Sequence, residues 1–330
     1  MIAVALVEPR RLETVQRDRP QPGPGEVRIA VSYVGICGTD LEFYRGRRTA
    51  PLPFILGHEA SGRVDAVGAG VEPGWIGARV TLRPNFGCGG CPTCLEGRDN
   101  LCTHSRGLGV TIDGCLAEYV LVPERYVWRV PDEMDLKLAC LVEPVAVAER
   151  AVRRAGAIAG RQVCVVGAGP IGLAAARIAT LEGGVVTTVE PEPSRRTRAE
   201  SLGVTQAVAS ISAVENKADV VIETAGVSSV VSQIVERARP GGRIVLTGIP
   251  MDAALVETRW IVWRELEVLG SFIYEARDFG RALARVLDGS VPAREWVTHT
   301  FAIAEASRAF SIAEAREGLK VLIEVRREES

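Results

Sequence analysis

The chain has 330 residues, of which 47% are hydrophobic and 24% charged, and its formal net charge at pH 7 is −2. This length and composition predict two ordinary domains with well-filled cores, and the nearly neutral balance gives no sign of a nucleic-acid-binding surface. The uncharged apolar run at residues 163–176 is too short to span a bilayer and is ended by Arg177, so we expect no membrane segment.

The first 145 residues are predicted to be rich in strands. Segments such as EVRIAVSYV, GARVTL and AEYVLVP are separated by Gly and Pro, which is typical of a β-rich domain. Within this region GICGTD and LGHE supply a thiolate at Cys37 and an imidazole at His58, and carboxylates follow at Glu59 and later at Glu143. One thiolate, one imidazole and one carboxylate leave zinc a fourth position for water or substrate, as in a catalytic site. For Glu59 a buried acid bonded to backbone is the structural alternative.

Four cysteines follow with the spacing CxxCxxCx7C, namely Cys88, Cys91, Cys94 and Cys102. Thiolates this closely spaced favour a closed tetrahedral zinc. The alternative, two disulfides, is typical of small secreted domains, whereas this chain is long and we expect no signal peptide. Because sulfur would fill every position, the predicted site is structural rather than catalytic.

The pattern changes near Asp135. Residues 136–155 have a helical composition, interrupted by Pro144, and QVCVVGAGPIGLAAARIA follows. Its glycines, Gly167, Gly169 and Gly172, lie between a predicted strand and a predicted helix, where they let the backbone approach a pyrophosphate at the helix N-terminus. The next strand ends in Glu190, 21 residues beyond Gly169, the spacing of the acid that binds the ribose hydroxyls. Dinucleotide binding is therefore predicted.

Strands and helices alternate after this motif. Six short strands, VCVV, VVTTV, a weaker QAVA, DVVIET, RIVLTG and LEVLGS, predict a doubly wound parallel sheet. The tail is predicted as a helix at Asp278–Leu287, a loop, a helix at Ala304–Ala315 and a last strand at Leu319–Val325.

The order GICGTD, GHE, CxxCxxCx7C, LVEP, GxGxxG resembles the zinc-dependent medium-chain alcohol dehydrogenases, especially their polyol and threonine dehydrogenase branch, over nearly the whole chain. LVEP places Glu143 where the alcohol dehydrogenases proper have a second cysteine ligand, which is the pattern of the sorbitol dehydrogenase-like branch. The resemblance implies an α/β protein. A GroES-like β-rich catalytic domain would cover 1–145 and 276–330, with the structural-zinc lobe at 85–103. A Rossmann coenzyme domain would cover 146–275, with the active site in the cleft between the domains.

The resemblance also implies the reaction, a hydride transfer between NAD and a secondary alcohol of a polyol, cyclitol, sugar or amino-alcohol. Two zinc ions per subunit are expected, one catalytic and one structural, in a cytoplasmic homodimer or homotetramer whose only other partners are small alcohols and ketones. Two catalytic ligand sets are open, because either Glu59 or Glu143 can complete Cys37 and His58. NADP is the less favoured coenzyme, since Glu190 repels a 2′-phosphate while Arg195 and its neighbouring arginines attract one.

Thr39 resembles the proton-relay hydroxyl of the family, and Asp40 would accept a hydrogen bond from His58. For both, an ordinary turn residue is the structural alternative. Glu42 stands where many relatives have a histidine, so it either accepts the proton itself or is a solvated side chain. Ile273 replaces an arginine that contacts polyol hydroxyls, which makes sorbitol itself less favoured. The candidate pocket residues are Phe43, Tyr44 and Ile273, and the candidate coenzyme contacts are Gly167, Gly169, Pro170, Ile171, Gly172, Glu190, Arg195, Gly248, Ile249 and Phe272.

Two other classes of function are weighed against this one. A metal-free quinone or enoyl-type reductase on the same fold would generally lack the candidate zinc ligands. A non-catalytic dinucleotide sensor would have no reason to keep the open set at Cys37 and His58.

Overall fold

The computed structural model describes residues 1–215 and 217–326. They form two compact units, one made of Met1–Glu143 together with the segment that begins at Leu283, the other of Pro144–Ala282. In the described part of the chain, no helix is long and apolar enough to cross a membrane.

The strands, in chain order, are β1 (Ile2–Glu8), β2 (Arg11–Gln16), β3 (Glu26–Gly35), β4 (Phe54–Ile55), β5 (Glu59–Val67), β6 (Arg79–Leu82), β7 (Asn85–Phe86), β8 (Arg106–Gly107), β9 (Tyr119–Pro123), β10 (Val127–Arg129), β11 (Gln162–Val166), β12 (Val185–Val189), β13 (Gln206–Val208), β14 (Ala218–Glu223), β15 (Ala238–Leu246), β16 (Glu267–Gly270), β17 (Val297–Ala302) and β18 (Lys320–Glu324). The α-helices are α1 (Gly38–Tyr44), α2 (Pro92–Leu95), α3 (Leu136–Ala139), α4 (Val142–Ala155), α5 (Pro170–Leu181), α6 (Pro193–Ser201), α7 (Ser228–Ile234), α8 (Thr258–Trp263), α9 (Ala276–Leu287) and α10 (Ala306–Glu314). Short 3₁₀ helices lie at Pro73–Trp75, Asp99–Leu101, Glu124–Tyr126, Ile211–Ala213, Ala293–Trp296 and Ile303–Glu305.

The first unit is built around strand β3. Its main sheet has the order β10-β6-β5-β3-β18-β17, and β9 also pairs with β3. Nearly every residue of β3 is buried, as expected for a strand with neighbours on both edges and packing on both faces. The antiparallel registers place Gly35 of β3 opposite both Glu59 of β5 and Leu322 of β18. Three distant segments of the chain therefore meet at the end of β3.

The second unit is a parallel six-stranded sheet of order β13-β12-β11-β14-β15-β16. The strand order reverses between β11 and β14, and in such sheets ligands bind beyond the carboxyl ends of the strands at that point. The predicted doubly wound sheet is confirmed, including the weak QAVA segment, which is β13. Pro144 does not interrupt α4, because it lies in the first turn, where no intrahelical N–H donor is needed.

The tail differs from its prediction in one element. The segment predicted as a loop after Leu287 contains β17, whose VTHTFA sequence alternates between exposed side chains and half-buried or buried ones. This strand exists because it pairs in parallel with β18, a partner more than 20 residues further along the chain. The predicted helix at Ala304–Ala315 is a 3₁₀ turn followed by α10.

Candidate metal centres and coenzyme site

The four cysteines of the CxxCxxCx7C motif converge on one point. The Sγ atoms of Cys88, Cys91, Cys94 and Cys102 all lie within 4.8 Å of one another, and those of Cys91 and Cys102 are 3.7 Å apart. A zinc tetrahedron with Zn–S bonds of about 2.3 Å has edges of about 3.8 Å, so the spacing fits the metal. All eight cysteines lie in the described residues and are free thiols. The disulfide alternative therefore has no support in the structure.

The surroundings of the four thiols are unequal. A hydrogen bond with the Thr93 hydroxyl, 3.2 Å away, is the largest cause that lowers the pKa of Cys91 to about 6. Burial raises the pKa of Cys94 to about 12. A metal-free lobe would thus keep the Cys94 proton at neutral pH, and metal binding would release it.

Local packing holds the lobe in shape. A Cβ on Gly87 would lie 2.8 Å from the Cys94 sulfur, so only glycine allows the chain to pass so close to it. The Gly87 amide donates to the Tyr126 hydroxyl (2.8 Å), and strands β7 and β8 pair where the chain enters and leaves the lobe. Arg83 binds both carboxylate oxygens of Asp99 at 2.8 and 3.0 Å.

A second group of donors lies deeper in the same unit. One ligand atom from each of Cys37, His58 and Glu59 lies within 4.8 Å of the others. Cys37 immediately precedes α1, His58 follows β4, and Glu59 is the first residue of β5. Only Cys37 is partly exposed, whereas His58 and Glu59 are buried. Glu143, the other candidate carboxylate, is buried in the first turn of α4 and is not part of this group.

Asp40 joins the two loops that carry these donors. Its carboxylate accepts hydrogen bonds from the amides of Cys37 (2.8 Å) and Gly57 (3.0 Å), and it is fully buried. The His58 Nδ1 lies 3.6 Å from Asp40 Oδ1, beyond hydrogen-bond distance. Burial by itself would lower the pKa of His58, but the negative charges of Asp40 and Cys37 outweigh it and raise that pKa well above its usual value.

The predicted relay residues lie on α1. Thr39 is half-buried in its first turn. Glu42 is engaged by two arginines, with 2.9 Å between Oε1 and Arg45 Nη1 and 3.4 Å between Oε2 and Arg47 Nε. A role for this carboxylate in proton transfer stays a prediction.

The predicted pocket residues Phe43 and Tyr44 also lie on α1. Both belong to the hydrophobic core of the first unit, with only 2% and 5% of their surface exposed. Phe43 packs against Phe54, and Tyr44 packs against Phe310. Their contact with a substrate stays a prediction.

In the second unit, the three glycines of GAGPIG have different reasons to be glycine. Gly167 has a φ of 98°, and a Cβ on Gly172 would lie 2.0 Å from the Gly167 carbonyl oxygen, so both are required by the fold. A Cβ on Gly169 would meet no protein atom within 4 Å. Open space beside the N-terminus of α5, where N–H groups and the helix dipole favour anions, suits the pyrophosphate of a dinucleotide.

Glu190 lies directly after β12, beside this loop. Its carboxylate accepts hydrogen bonds from the amides of Ala168 (2.9 Å) and Glu192 (3.1 Å). These bonds fix the acid at the carboxyl end of the sheet, where a ribose would be expected. Arg196 donates to the carbonyl oxygens of Glu190 and Pro191, whereas Arg195 is half-buried on α6.

The remaining predicted contacts are divided between two regions of the second unit. Pro170 and Ile171 begin α5, and Gly248 is packed so closely that a Cβ would lie 2.2 Å from the Gly226 amide nitrogen. Ile249 and Phe272 are exposed, by 63% and 48%. Ile273 has a φ of 51°, which is strained for a β-branched residue, and such strain is concentrated at functional sites.

Sequence reasoning missed Lys320, the first residue of β18. Its ammonium group is buried and bonds to both carboxylate oxygens of Glu59, at 2.8 and 2.6 Å. A lysine at the start of the apolar strand KVLIE was the available signal, because lysine is almost never fully buried unless it is paired.

Comparison with known proteins identifies the family. The profile described as alcohol dehydrogenase GroES-like domain matches residues 23–132, and that of zinc-binding dehydrogenase matches 170–288. The chain is 34% identical to the 2-dehydro-3-deoxy-L-galactonate 5-dehydrogenase of Pseudoalteromonas atlantica, with 100% of both chains covered. It is 32% identical to a sorbitol dehydrogenase of Halalkalibacterium halodurans, with 93% of this chain and 94% of that one covered.

Solved structures agree. The RspB alcohol dehydrogenase of Escherichia coli, in complex with NADH, has a TM-score of 0.92 at 30% identity. A zinc-binding dehydrogenase of Sinorhizobium meliloti, bound to NADP, has a TM-score of 0.91 at 34% identity. Each comparison covers 98% of this chain and 99% of the other.

The chain therefore belongs to the zinc-dependent medium-chain alcohol dehydrogenases, in their sorbitol dehydrogenase-like branch. It is an NAD(P)-dependent oxidoreductase of CH–OH groups, with the predicted GroES-like and Rossmann folds.

Proposed function

We propose that this oxidoreductase interconverts a secondary alcohol of a polyol or sugar acid and the corresponding ketone, with NAD as coenzyme. The observation that carries the proposal is the convergence of Cys37, His58 and Glu59 within 4.8 Å. Three donors of different type, with one of them partly exposed, suit a metal that keeps a position for substrate.

The donor set fits zinc on its chemistry as well. A thiolate, an imidazole and a carboxylate are ordinary zinc ligands, and His58 Nδ1 is a buried atom without a hydrogen-bond partner in the described residues. Cys37, His58 and Glu59 would hold the ion, with Glu143 as the alternative third ligand. When bound, zinc and NAD supply a Lewis acid that makes the substrate hydroxyl more acidic and a nicotinamide ring that accepts hydride.

The protein's own part is to orient the ligands and remove a proton. Asp40 fixes the backbone before Cys37 and before His58, so it keeps both ligands in position. Thr39, on the same helix turn as Asp40, would take the substrate hydroxyl proton and pass it outward.

The preference for NAD rests on Glu190. Its carboxylate lies beside the Gly-rich loop, where it would bind the ribose hydroxyls and repel a 2′-phosphate. A higher kcat/KM with NADP than with NAD would contradict this assignment. Glu190→Ala provides the matched variant, because losing the carboxylate should weaken NAD binding and relax the discrimination against NADP.

The substrate class follows from two considerations. Two of the relatives named above are a sugar-acid dehydrogenase and a sorbitol dehydrogenase. In this chain, Ile273 stands where sorbitol dehydrogenase-like members often have an arginine for polyol hydroxyls. We therefore expect a polyhydroxylated secondary alcohol other than sorbitol.

The expected homodimer or homotetramer has a candidate surface. Strand β16 is one of the two edge strands of the second sheet, and Leu255, Val262 and Trp263, which come shortly before it, are 85%, 72% and 68% exposed. Two copies pairing edge to edge about a twofold axis would cover these side chains and satisfy the outer edge of β16. Light scattering should find an oligomer for the native chain and a monomer for Trp263→Glu.

A cytoplasmic location of the protein also stays a prediction.

One experiment tests the proposal as a whole. Metal analysis of the purified protein should find two zinc ions per chain, and a panel of polyols, cyclitols, sugar acids and simple alcohols should give NAD-linked turnover. A metal-free protein that reduces quinones or enoyl compounds would instead support the reductase alternative. Zinc with coenzyme binding but no turnover on any substrate would support the sensor.

A further inference from the structure

A buried ion pair lies directly against the candidate catalytic donors. Lys320 Nζ is 2.8 Å from Glu59 Oε1 and 2.6 Å from Oε2, and it also donates to the Ile36 carbonyl oxygen at 3.2 Å. An ammonium group has three donors, so these three acceptors use all of them. The side chains of Lys320 and Glu59 are only 3% and 2% exposed. The pair is therefore fully connected and shielded from water.

The fold makes room for this pair at Gly35. Strand β3 lies between the strands that carry Glu59 and Lys320, and Gly35 is directly opposite Glu59. A Cβ on Gly35 would lie 2.1 Å from Glu59 Oε2. The Glu59 carboxylate occupies the space that any other side chain at position 35 would fill.

The Lys320 ammonium group is held directly against both oxygens of the Glu59 carboxylate. A fixed cation bound to both oxygens of a ligand carboxylate opposes a second cation there, because the two positive charges repel each other and one lone pair of each oxygen is already in use.

We propose that Lys320 is a positioning residue that competes with the metal for Glu59, so that Glu59 is a weakened and exchangeable ligand while Cys37 and His58 are firm ones. This inference rests on the proposed metal site. Under this proposal, Lys320 of strand β18 lowers the affinity of the site for the metal, although it is not itself a metal ligand. Lys320 touches neither substrate nor coenzyme in this role, and it acts only through Glu59.

The test measures metal affinity rather than turnover. Zinc is removed from the Cys37 site and returned in competition with a chromogenic chelator, and Co²⁺ is added in a parallel experiment, since its absorption reports the number and type of ligands. Lys320→Met removes the charge and nearly preserves the shape, so Glu59 becomes fully available. We expect the zinc dissociation constant to fall by roughly 10- to 100-fold, the scale on which groups around metal ligands act. The Co²⁺ spectrum should change as well.

Two further variants test whether Lys320 changes the zinc affinity through Glu59. Lys320→Arg keeps the charge and should remain near the native affinity. In a Glu59→Gln background, Lys320→Met should have no further effect, because the residue through which it acts has lost its charge. If Lys320→Met fails to fold, Lys320→Gln replaces it, since its amide can still donate to one Glu59 oxygen.

Each outcome decides the question. An unchanged or weaker zinc affinity in Lys320→Met, even with reduced thermal stability, would show that the pair only supports the fold. A tighter affinity that persists in the Glu59→Gln background would show a general charge effect and would also overturn the proposal. Failure of the proposed function is distinguishable, because the native protein would then hold zinc at the four-cysteine lobe alone.

Discussion

The two groups of metal donors in the first unit are assembled in opposite ways. The four-cysteine lobe is local: all of its donors lie in residues 88–102, and Cys88 is exposed to solvent. The Cys37 group is buried except at Cys37, and it depends on β3, which brings Glu59 and Lys320 together from segments 261 residues apart. The donors of the lobe are therefore close together because they are close in sequence, whereas the residues of the Cys37 group are brought together by strand pairing in the sheet.

The difference in assembly implies a difference in what each group contributes. A closed set of sulfurs has no room for a substrate, so its metal can contribute only to folding. The mixed set is supported by a folded sheet and by Asp40, so loss of a ligand there should leave the fold intact and remove the chemistry. Cys37→Ser and Cys94→Ser test that division, and variants of Thr39 and Glu42 test the chemistry of the mixed set.

The largest expected effect is that of Cys37→Ser on turnover. Losing the thiolate removes a ligand from the open set, so we expect activity to fall to background and zinc content to fall from two ions per chain to one. Thermal unfolding should remain close to that of the native protein. Wide loss of structure in this variant would mean that the Cys37 group is a second structural site.

Thr39→Val should have the next largest effect. If the Thr39 hydroxyl carries the substrate proton, kcat should fall by about 10²- to 10⁴-fold, while zinc content and stability stay unchanged. Thr39→Ser is the matched control, because it keeps the hydroxyl and should retain most of the activity. Equal rates for the Val and Ser variants would return Thr39 to the role of an ordinary turn residue.

Cys94→Ser tests the lobe. We expect a loss of about 3 kcal/mol or more of unfolding free energy, as for other losses of a structural metal. At roughly 2–4 °C per kcal/mol, the midpoint of thermal unfolding would fall by on the order of 10 °C. The comparison with Cys37→Ser is direct, since each variant exchanges one sulfur for oxygen. An equally stable Cys94→Ser protein would contradict the structural-zinc assignment.

The same contrast explains what could be predicted from the sequence. The lobe and the Gly-rich loop are short motifs, so spacing alone predicts that Cys88 and Cys102, or Gly167 and Gly172, come together. Strand β17 and the Lys320–Glu59 pair depend on partners far along the chain, and no local pattern identifies those partners. Between the two ligand sets left open by the sequence, the structure groups Glu59, and not Glu143, with Cys37 and His58, because Glu59 lies opposite the end of β3 from which Cys37 follows.

The smallest expected effect is at Glu42. Its carboxylate forms ion pairs with Arg45 and Arg47, at 2.9 and 3.4 Å. If it nevertheless replaces the missing histidine, Glu42→Gln should lower kcat by less than about tenfold, shift the pH–rate profile and be rescued by small exogenous buffers. Glu314→Gln is the matched control, because Glu314 also binds Arg45, at 3.1 Å, but belongs to α10 rather than to α1, which carries Thr39. A Glu42→Gln profile identical to that of the control, with no buffer rescue, would show that Glu42 only pairs with its arginines and that water carries the proton outward from Thr39.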